Sequence, residues 1–536
     1  MSASLSSKPH EELRASSARS RHDEVQCTTQ RYDRLRTGWN PRERRLDVAG
    51  VASGLKRLAT FAVLGEVFAQ PLYVSGVEIN GRHHDLLFLV TSENWIYAFD
   101  AQTLTPVWPP RTLTPPGSQP YLSNMAYAGL SYNDFSPGRK VGIIGTPVID
   151  TDRHVAWLVA VSQTSPYVPG GGAPAGTVHH WLHAIDLKTG RDHAASPPVQ
   201  ISATLGSVSF DSRVQMQRPG LLLSHDRLFI GFGSYGDNNH VAVYGGWVLV
   251  YDARHLTQQS AFLASQQGGG SVWQSGTGIA GDEDGSAYFA TGNGPFGPLT
   301  PLGTHGRTDY GDSIVRLAPS APFAAVDSFT PFNQDTLNSS DLDLGSGGVL
   351  LVPGEFGGPK FAIQVGKFGT AYVLDRSHLG GFEGPVGPDD VVSSTPLPGA
   401  GGETFYGCPT YYRASNGDHL VYFGAMGQPV SCYKLDGGGG LTQVWQSVDH
   451  FPGYGTIPVV SSHESRPGSA VLWSIQNTMD GGNTLRLKAY AAEGLGGAIA
   501  DLNCGSWPKQ GSFLVPTVAD GRVYVASDGE VQVFGL

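Results

Sequence analysis

The sequence predicts an all-β fold: an eight-bladed β-propeller of four-stranded antiparallel blades, its ring closed by an N-terminal strand that joins the C-terminal blade. Three observations predict it. A unit of about 40–60 residues with three or four short apolar strands recurs along the chain. Glycine is 72 of 536 residues, which argues for many tight turns, and no long amphipathic helix is visible. A proline stands at the head of most first strands of the unit, in "AQPLYV" at 69, "GTPVID" at 145, "QRPGLLL" at 217, "GCPTYY" at 407, "GTIPVV" at 455 and "LVPTV" at 514.

Taken in order, the first strand of each unit is short and headed by proline or glycine. The second is bounded by turn residues, as in "LLFLVTS" at 86, "VAWLVAVS" at 155, "FAIQVGKFG" at 361 and "RVYVASDG" at 522. The third often ends on aspartate, as in "WIYAFDAQTL" at 95, "WLHAIDLKTG" at 181, "WVLVYDARHL" at 247 and "AYVLDRSHL" at 371. These strands are apolar on both faces, which suits sheets packed between sheets. The carboxylates of Asp100, Asp186, Asp252 and Asp375 are placed to accept the N–H groups two residues on, a structural role. Trp108 and Trp445 fall where a fourth, outer strand sits and are expected to pack between units. Blades are expected at roughly 67–110, 143–197, 217–265, 272–330, 343–385, 405–448 and 454–495. Residues 513–536 supply three strands, and "KRLATFAVL" at 56–64 supplies the fourth, removing the open sheet edges.

Formal charge is −11 and uneven. Residues 1–46 hold 10 Lys+Arg against 6 Asp+Glu, leaving 25 against 40 for the rest. The expected organisation is a flexible basic arm over 1–46 and a single propeller over 47–536. An acidic body argues against a nucleic-acid partner. No apolar run is long enough for a transmembrane helix, and a mean hydropathy of −0.15 fits a soluble globule. The N-terminus has no apolar stretch of the secretory kind, so a cytoplasmic setting is the expectation.

The prolines locate a site. In a propeller the innermost strand borders the central channel, so proline at its head loses no ladder bond. The residue before each proline, or the equivalent glycine, then lies near one mouth: Gln70, Thr146, Arg218, Ser275, Ser346, Cys408, Ile457 and Val515, with Gln217, Trp273, Tyr406 and Tyr454 close by. A funnel of this kind is where propeller ligands bind. Arg218 is the charged residue among the strand-head positions and is expected to line it.

Other signals are weaker. Cys27, Cys408, Cys432 and Cys504 are widely spaced and read as free thiols, with Cys408–Cys432 and Cys27–Cys504 the pairings a disulfide would use. "DEDG" at 282 reads as a hairpin turn. Asp341 and Asp343, and His179 with His183 in "VHHWLH", lack the spacing of a known metal site. Asp309 and Asp312 bracket a turn entering a strand. "GGGAPAG" at 170 lacks the Lys-Ser/Thr of a phosphate loop. No nucleophile elbow or Ser-His-Asp signature is found, and no complete catalytic constellation.

"RYDRLRTGWN", "FAQPLYVSGVEING", "IIGTPVID", "LHAIDLKTG", "GGWVLVYDA", "ATGNGPF", "DYGDSIVRL" and "LDLGSGGVLLVPG", in this order, resemble the PQQ-binding-like β-propeller repeat proteins of the quinoprotein alcohol dehydrogenase-like superfamily. The resemblance runs from about residue 28 to the end and implies the propeller fold. In the dehydrogenases of that group, PQQ lies between a tryptophan and a ring of adjacent, disulfide-linked cysteines, beside calcium held by Glu, Asn and Asp. Trp273 matches the stacking position; adjacent cysteines and a calcium set do not. No cofactor is therefore predicted, and PQQ with calcium is the disfavoured alternative. Relatives are often exported. The expected function is a non-catalytic module that binds a small molecule or protein at the channel mouth, with neither nucleic acid nor membrane as partner. The alternative is an enzyme, either a degenerate quinoprotein or a cofactor-independent one using funnel residues.

Overall fold

The computed structural model describes residues 25–122, 139–164, 176–235, 243–297, 309–354, 360–494, 496–507 and 513–536. The architecture is all-β and propeller-like. Among the described residues there are eight sheets of four or five strands, together with two two-stranded ribbons. The first sheet is built on Leu72–Ile79, Arg82–Val90 and Trp95–Asp100. Sheets two to seven start their inner strands at Val148, Leu222, Ala280, Leu350, Thr410 and Val459. In the eighth, Thr517–Ala519, Arg522–Ala526 and Asp528–Gly535 are joined by Lys56–Glu66, which pairs antiparallel with Asp528–Gly535. Among the described residues no helix is long and apolar enough to cross a membrane.

Successive sheets pack face to face, as strands apolar on both faces demand. One apolar cluster joins sheets two and three through Trp157, Leu182, Leu228 and Trp247. Others join three to four, four to five, five to six and six to seven. The largest runs through sheets seven, eight, one and two. Aspartate at the end of strand three acts as expected: Asp100 Oδ1 accepts from the N–H of Gln102 and Thr103, and Asp186, Asp252 and Asp375 accept from Lys188, Arg254 and Ser377. Trp108 bridges sheets one and two by donating from Nε1 to the Leu187 carbonyl at 3.0 Å. "DEDG" is a tight turn between Ala280–Gly281 and Ala287–Ala290. The four cysteines are separate, buried free thiols.

The expected arm is the main correction. Residues 1–24 lie outside the described residues, as does most of "GGGAPAG". Residues 26–40 run against the inner strands, and Arg31 and Arg36 are fully buried. Gln26–Cys27 adds to the inner edge of the first sheet opposite Val74 and Tyr73. The carbonyls of Thr28, Arg34, Leu35, Thr37 and Gly38 then accept in turn from the N–H groups of Ile149, Gly281, Leu351, Tyr411 and Val460. Thr29 donates to the Leu221 carbonyl, and Tyr32 and Asn40 bond the backbone of Val518. One segment thus touches the inner strand of every sheet. Inner strands leave backbone groups unpaired on their channel side, and buried ones must find partners. The segment supplies them, as a plug laid across the inner strands.

The two arginines pin the plug. All five N–H donors of a guanidinium are available in a fixed fork. Arg36 spends its donors on the Ile279, Leu221 and Gln30 carbonyls and Thr29 Oγ1. Arg31 donates to the Pro458 carbonyl at 2.6 Å, the Pro409 carbonyl at 2.8 Å and Thr410 Oγ1 at 2.7 Å. Gly38, at φ +69°, leaves room for that guanidinium, since a Cβ there would lie 2.3 Å from Arg31 Nη2. Burial, the dominant effect, lowers the Arg36 guanidinium to about 10.

Candidate functional site

The strand-head prolines precede the paired residues, as an inner edge strand requires, and it is their carbonyls that the channel uses. Pro71 accepts from Thr517, Pro219 from Gln217, Pro409 and Pro458 from Arg31, and Pro516 from Gln70. Several predicted residues are consumed by this framework. Gln70 is buried, accepting the Arg31 N–H at 2.8 Å on Oε1, while its backbone N–H donates to Thr146 Oγ1 at 3.0 Å. Gln217 is buried and donates to the Pro219 carbonyl at 2.6 Å. Ser346 donates from Oγ to the Phe405 carbonyl, and the Ser275 N–H donates to the Ser346 carbonyl. Cys408 is 0% exposed, in the core between sheets five and six, where burial raises its thiol. These positions hold the plug and the neighbouring strand heads together.

The rest come together. Tyr406 and Tyr454 have ring centroids 4.5 Å apart, and Tyr454 stacks on Phe513 at 5.3 Å with planes inclined by 13°. The Arg218 guanidinium lies over the Phe513 ring at 4.7 Å, a cation–π geometry. Tyr406 donates its hydroxyl to Glu403 and faces Lys367, whose Nζ is 5.8 Å from the ring centroid. Lys367 in turn pairs with Asp343 at 2.7 Å and Asp341 at 3.1 Å. Burial opposes its charge, but Asp343 and then Asp341 outweigh burial and raise the ammonium above its ordinary value. Asp343 also accepts the Asn293 N–H at 2.8 Å, and Asn293 Nδ2 donates to Asp341. Trp273 completes the chain of contacts: a Cβ placed on Gly292 would meet both Asp343 Oδ1 and Trp273 Cδ1.

Asp312 stands behind this cluster, fully buried. It accepts from the Leu344 N–H, and burial together with Asp343 holds its carboxyl well above the usual range. Asp309 accepts from Ser265 and Gln267 between sheets three and four. Neither is a bare turn cap. His183 bonds Asp192 at 2.7 Å, and His180 is buried between Phe210 and Phe232. Among the described residues no three His, Cys, Asp or Glu side chains are grouped to hold a metal.

Lys367, Phe513, Asn293 and Glu403 were not predicted. Lys367 and Asn293 sit in turns that follow second strands. Strand alternation places those turns at the same mouth as the prolines, so position in the repeat was the available signal. Phe513 precedes the last strand head and had the same signal.

Fold and site together define an all-β, propeller-like protein whose inner strands are bridged by residues 26–40 and whose strand heads bring together an aromatic cluster. Its fold is that of the quinoprotein alcohol dehydrogenase-like propellers, as the sequence motifs implied. The quinohemoprotein alcohol dehydrogenase of Comamonas testosteroni is similar over 95% of this chain and 80% of that chain, at 15% identity and a TM-score of 0.59. A europium-containing methanol dehydrogenase is similar over 96% and 98%, at 14% identity and a TM-score of 0.58. Quinohemoprotein alcohol dehydrogenase ADHIIG from Pseudomonas putida HK5 is similar over 96% and 80%, at 13% identity and a TM-score of 0.55. No protein-family model matches the sequence, and neither does any curated protein. The cysteine ring that covers PQQ in dehydrogenases of this group has no counterpart among the described residues, since the four thiols lie far apart in sequence and are buried singly.

Proposed function

We propose that residues 47–536 form one eight-bladed ring, closed by the 56–66 strand, and that the protein is a non-catalytic ligand-binding propeller. Its site is the aromatic wall of the open mouth. The observation that carries this reading is the Arg218–Phe513–Tyr454–Tyr406 stack. It sets aromatic rings beside a guanidinium, with Tyr454 and Phe513 half-buried and Arg218 and Tyr406 each 7% exposed, a pairing that suits the edge of a planar aromatic molecule bearing an acid group. Lys367 is paired with Asp341 and Asp343, and the Arg218 guanidinium lies at the Phe513 end of the stack.

The test uses two probes, naphthalene-2,6-dicarboxylate and PQQ, each titrated against the protein by tryptophan fluorescence with and without calcium. Saturable binding that Arg218→Ala weakens at least tenfold, with no dye-linked alcohol oxidation, is the expected result. Binding of both probes that is unchanged in the variant moves the site elsewhere. Stoichiometric PQQ uptake with calcium and alcohol oxidation replaces this reading with a quinoprotein enzyme, the alternative favoured by the position of Trp273 beside Asp343.

A further inference from the structure

A second cavity lies beside the plug. Its volume is about 420 Å³, within the range of small-molecule sites. Leu223 and Pro353 in its wall follow Leu221 and Leu351, the residues that meet the plug, and the strand-head residues precede them along the same inner strands. The cavity therefore sits at the turn end of these strands, away from the aromatic cluster. Tyr32, Leu35, Trp39, Ile149 and Leu223 give it an apolar wall, and Arg34, an exposed residue, brings a guanidinium to that wall.

The charges around this bowl are one-sided. Residues 31–36 carry three arginines and one aspartate. Asp33 is satisfied inside the plug: it accepts from the Thr37 N–H at 3.1 Å and from the Thr37 hydroxyl, and Arg36 lies beside it. Arg36 also donates to Thr29 Oγ1 at 2.7 Å, and Thr29 lines the bowl, so a second guanidinium stands one bond behind the wall. Arg31 and Arg36 give their hydrogen bonds to carbonyls and hydroxyls, which satisfy N–H groups without cancelling charge. Among the described residues the Arg34 side chain forms no ion pair and no hydrogen bond. Its planar fork of donors matches a carboxylate through two parallel bonds. The acidic groups elsewhere on the body act weakly here, because salt screens exposed charges beyond about 8 Å.

We propose that this bowl is a second binding site, for a carboxylate carried on an alkyl or aryl body, with Arg34 as its counter-ion and Tyr32, Leu35 and Trp39 against the body. This inference stands apart from the reading of the aromatic cluster and fails or succeeds separately, because its cation is Arg34 and not Arg218.

The experiment titrates the full chain with 3-phenylpropanoate and with its neutral isostere 3-phenylpropanamide, read by calorimetry and tryptophan fluorescence. Acid binding at least tenfold tighter than amide binding is expected, weakened at least tenfold in Arg34→Ala and kept in Arg218→Ala. Arg34 is exposed, so its truncation leaves the packing of the plug intact. Leu223→Glu is a second variant. It keeps Arg34 but sets a carboxylate in the bowl, and it should also abolish acid binding. A peptide ending in a free phenylalanine carboxylate, compared with its amidated form, identifies the source of the acid. Preference for the free form extends the site to chain ends, and failure of both peptides to bind restricts it to small acids. Equal affinity for acid and amide, acid binding undiminished in both Arg34→Ala and Leu223→Glu, or acid binding lost in Arg218→Ala alone overturns the proposal.

Discussion

Replacing Arg31 by methionine should loosen the plug at two identified places. The guanidinium is fully buried and donates to Pro409, Pro458 and Thr410. Pro458 keeps a partner in the variant, because Thr410 Oγ1 also donates to it at 2.6 Å. The Pro409 carbonyl is left stranded, at about 1–3 kcal/mol, and each lost charge-assisted bond contributes roughly 1.5–3 kcal/mol. Removing the cost of burying a guanidinium offsets part of this. A net loss of about 3 kcal/mol, close to a hundredfold, is expected in the local opening equilibrium. Native-state hydrogen exchange reads it directly. The N–H groups of Tyr411 and Val460, which bond to Thr37 and Gly38, should exchange about a hundredfold faster, while the outer strand Leu441–His450 keeps its wild-type rates. Unchanged exchange at Tyr411 and Val460 in a folded variant would refute the reasoning, as would equal acceleration in every sheet.

Three further outcomes follow from local chemistry. Burial raises the Glu66 carboxyl to about 7 from 4.5, against the opposing pull of Arg139. Between those values the folded state holds a proton that the unfolded chain has released, so stability should fall as pH rises through the window; Glu66→Gln should flatten denaturation curves there by on the order of 3 kcal/mol. Burial pushes the Cys27 thiol up to about 12 and raises Cys408, Cys432 and Cys504 as well. A thiol reagent at pH 8 should therefore find no reactive cysteine in the folded protein and four after unfolding in urea. Asp100→Ala removes the acceptor for two backbone N–H groups at a partly exposed turn and should cost about 1 kcal/mol in a urea titration.

What was legible in the sequence is what local chemistry dictates. Proline can head an inner strand without losing a ladder bond, and aspartate closes the third strand by accepting N–H groups two residues on. Both signals repeat, so the all-β propeller architecture could be read from them. The plug was not legible, although "RYDRLRTGWN" carries Tyr32, Leu35 and Trp39 among its charges. An arginine is assigned to solvent unless a partner is known, and the partners of Arg31 and Arg36 are carbonyls at 221, 279, 409 and 458, far along the chain and invisible as side-chain types. The same gap blurred the site. Strand-head position located the mouth, but whether a residue faces ligand or framework depended on what the plug and the neighbouring heads had already claimed. Gln70, Thr146, Gln217, Ser275 and Ser346 are bonded to the plug or to neighbouring strand heads, while Tyr406 and Tyr454 meet in one aromatic cluster with Phe513 and Arg218.

The plug also sets an order of assembly. Residues 26–40 leave the ribosome before the sheets they bridge, yet their partners extend to Val518, and the 56–66 strand waits for residues 528–535. During synthesis the sheets already formed leave this segment and the 56–66 strand incompletely paired until residues 517–535 have emerged. Seating residues 26–40 is then a late step, and contacts this distant in sequence make it a slow one. A chain cut short before residue 517 lacks both the last inner strand and the partner of the first, so truncation at one end undoes the packing of the other.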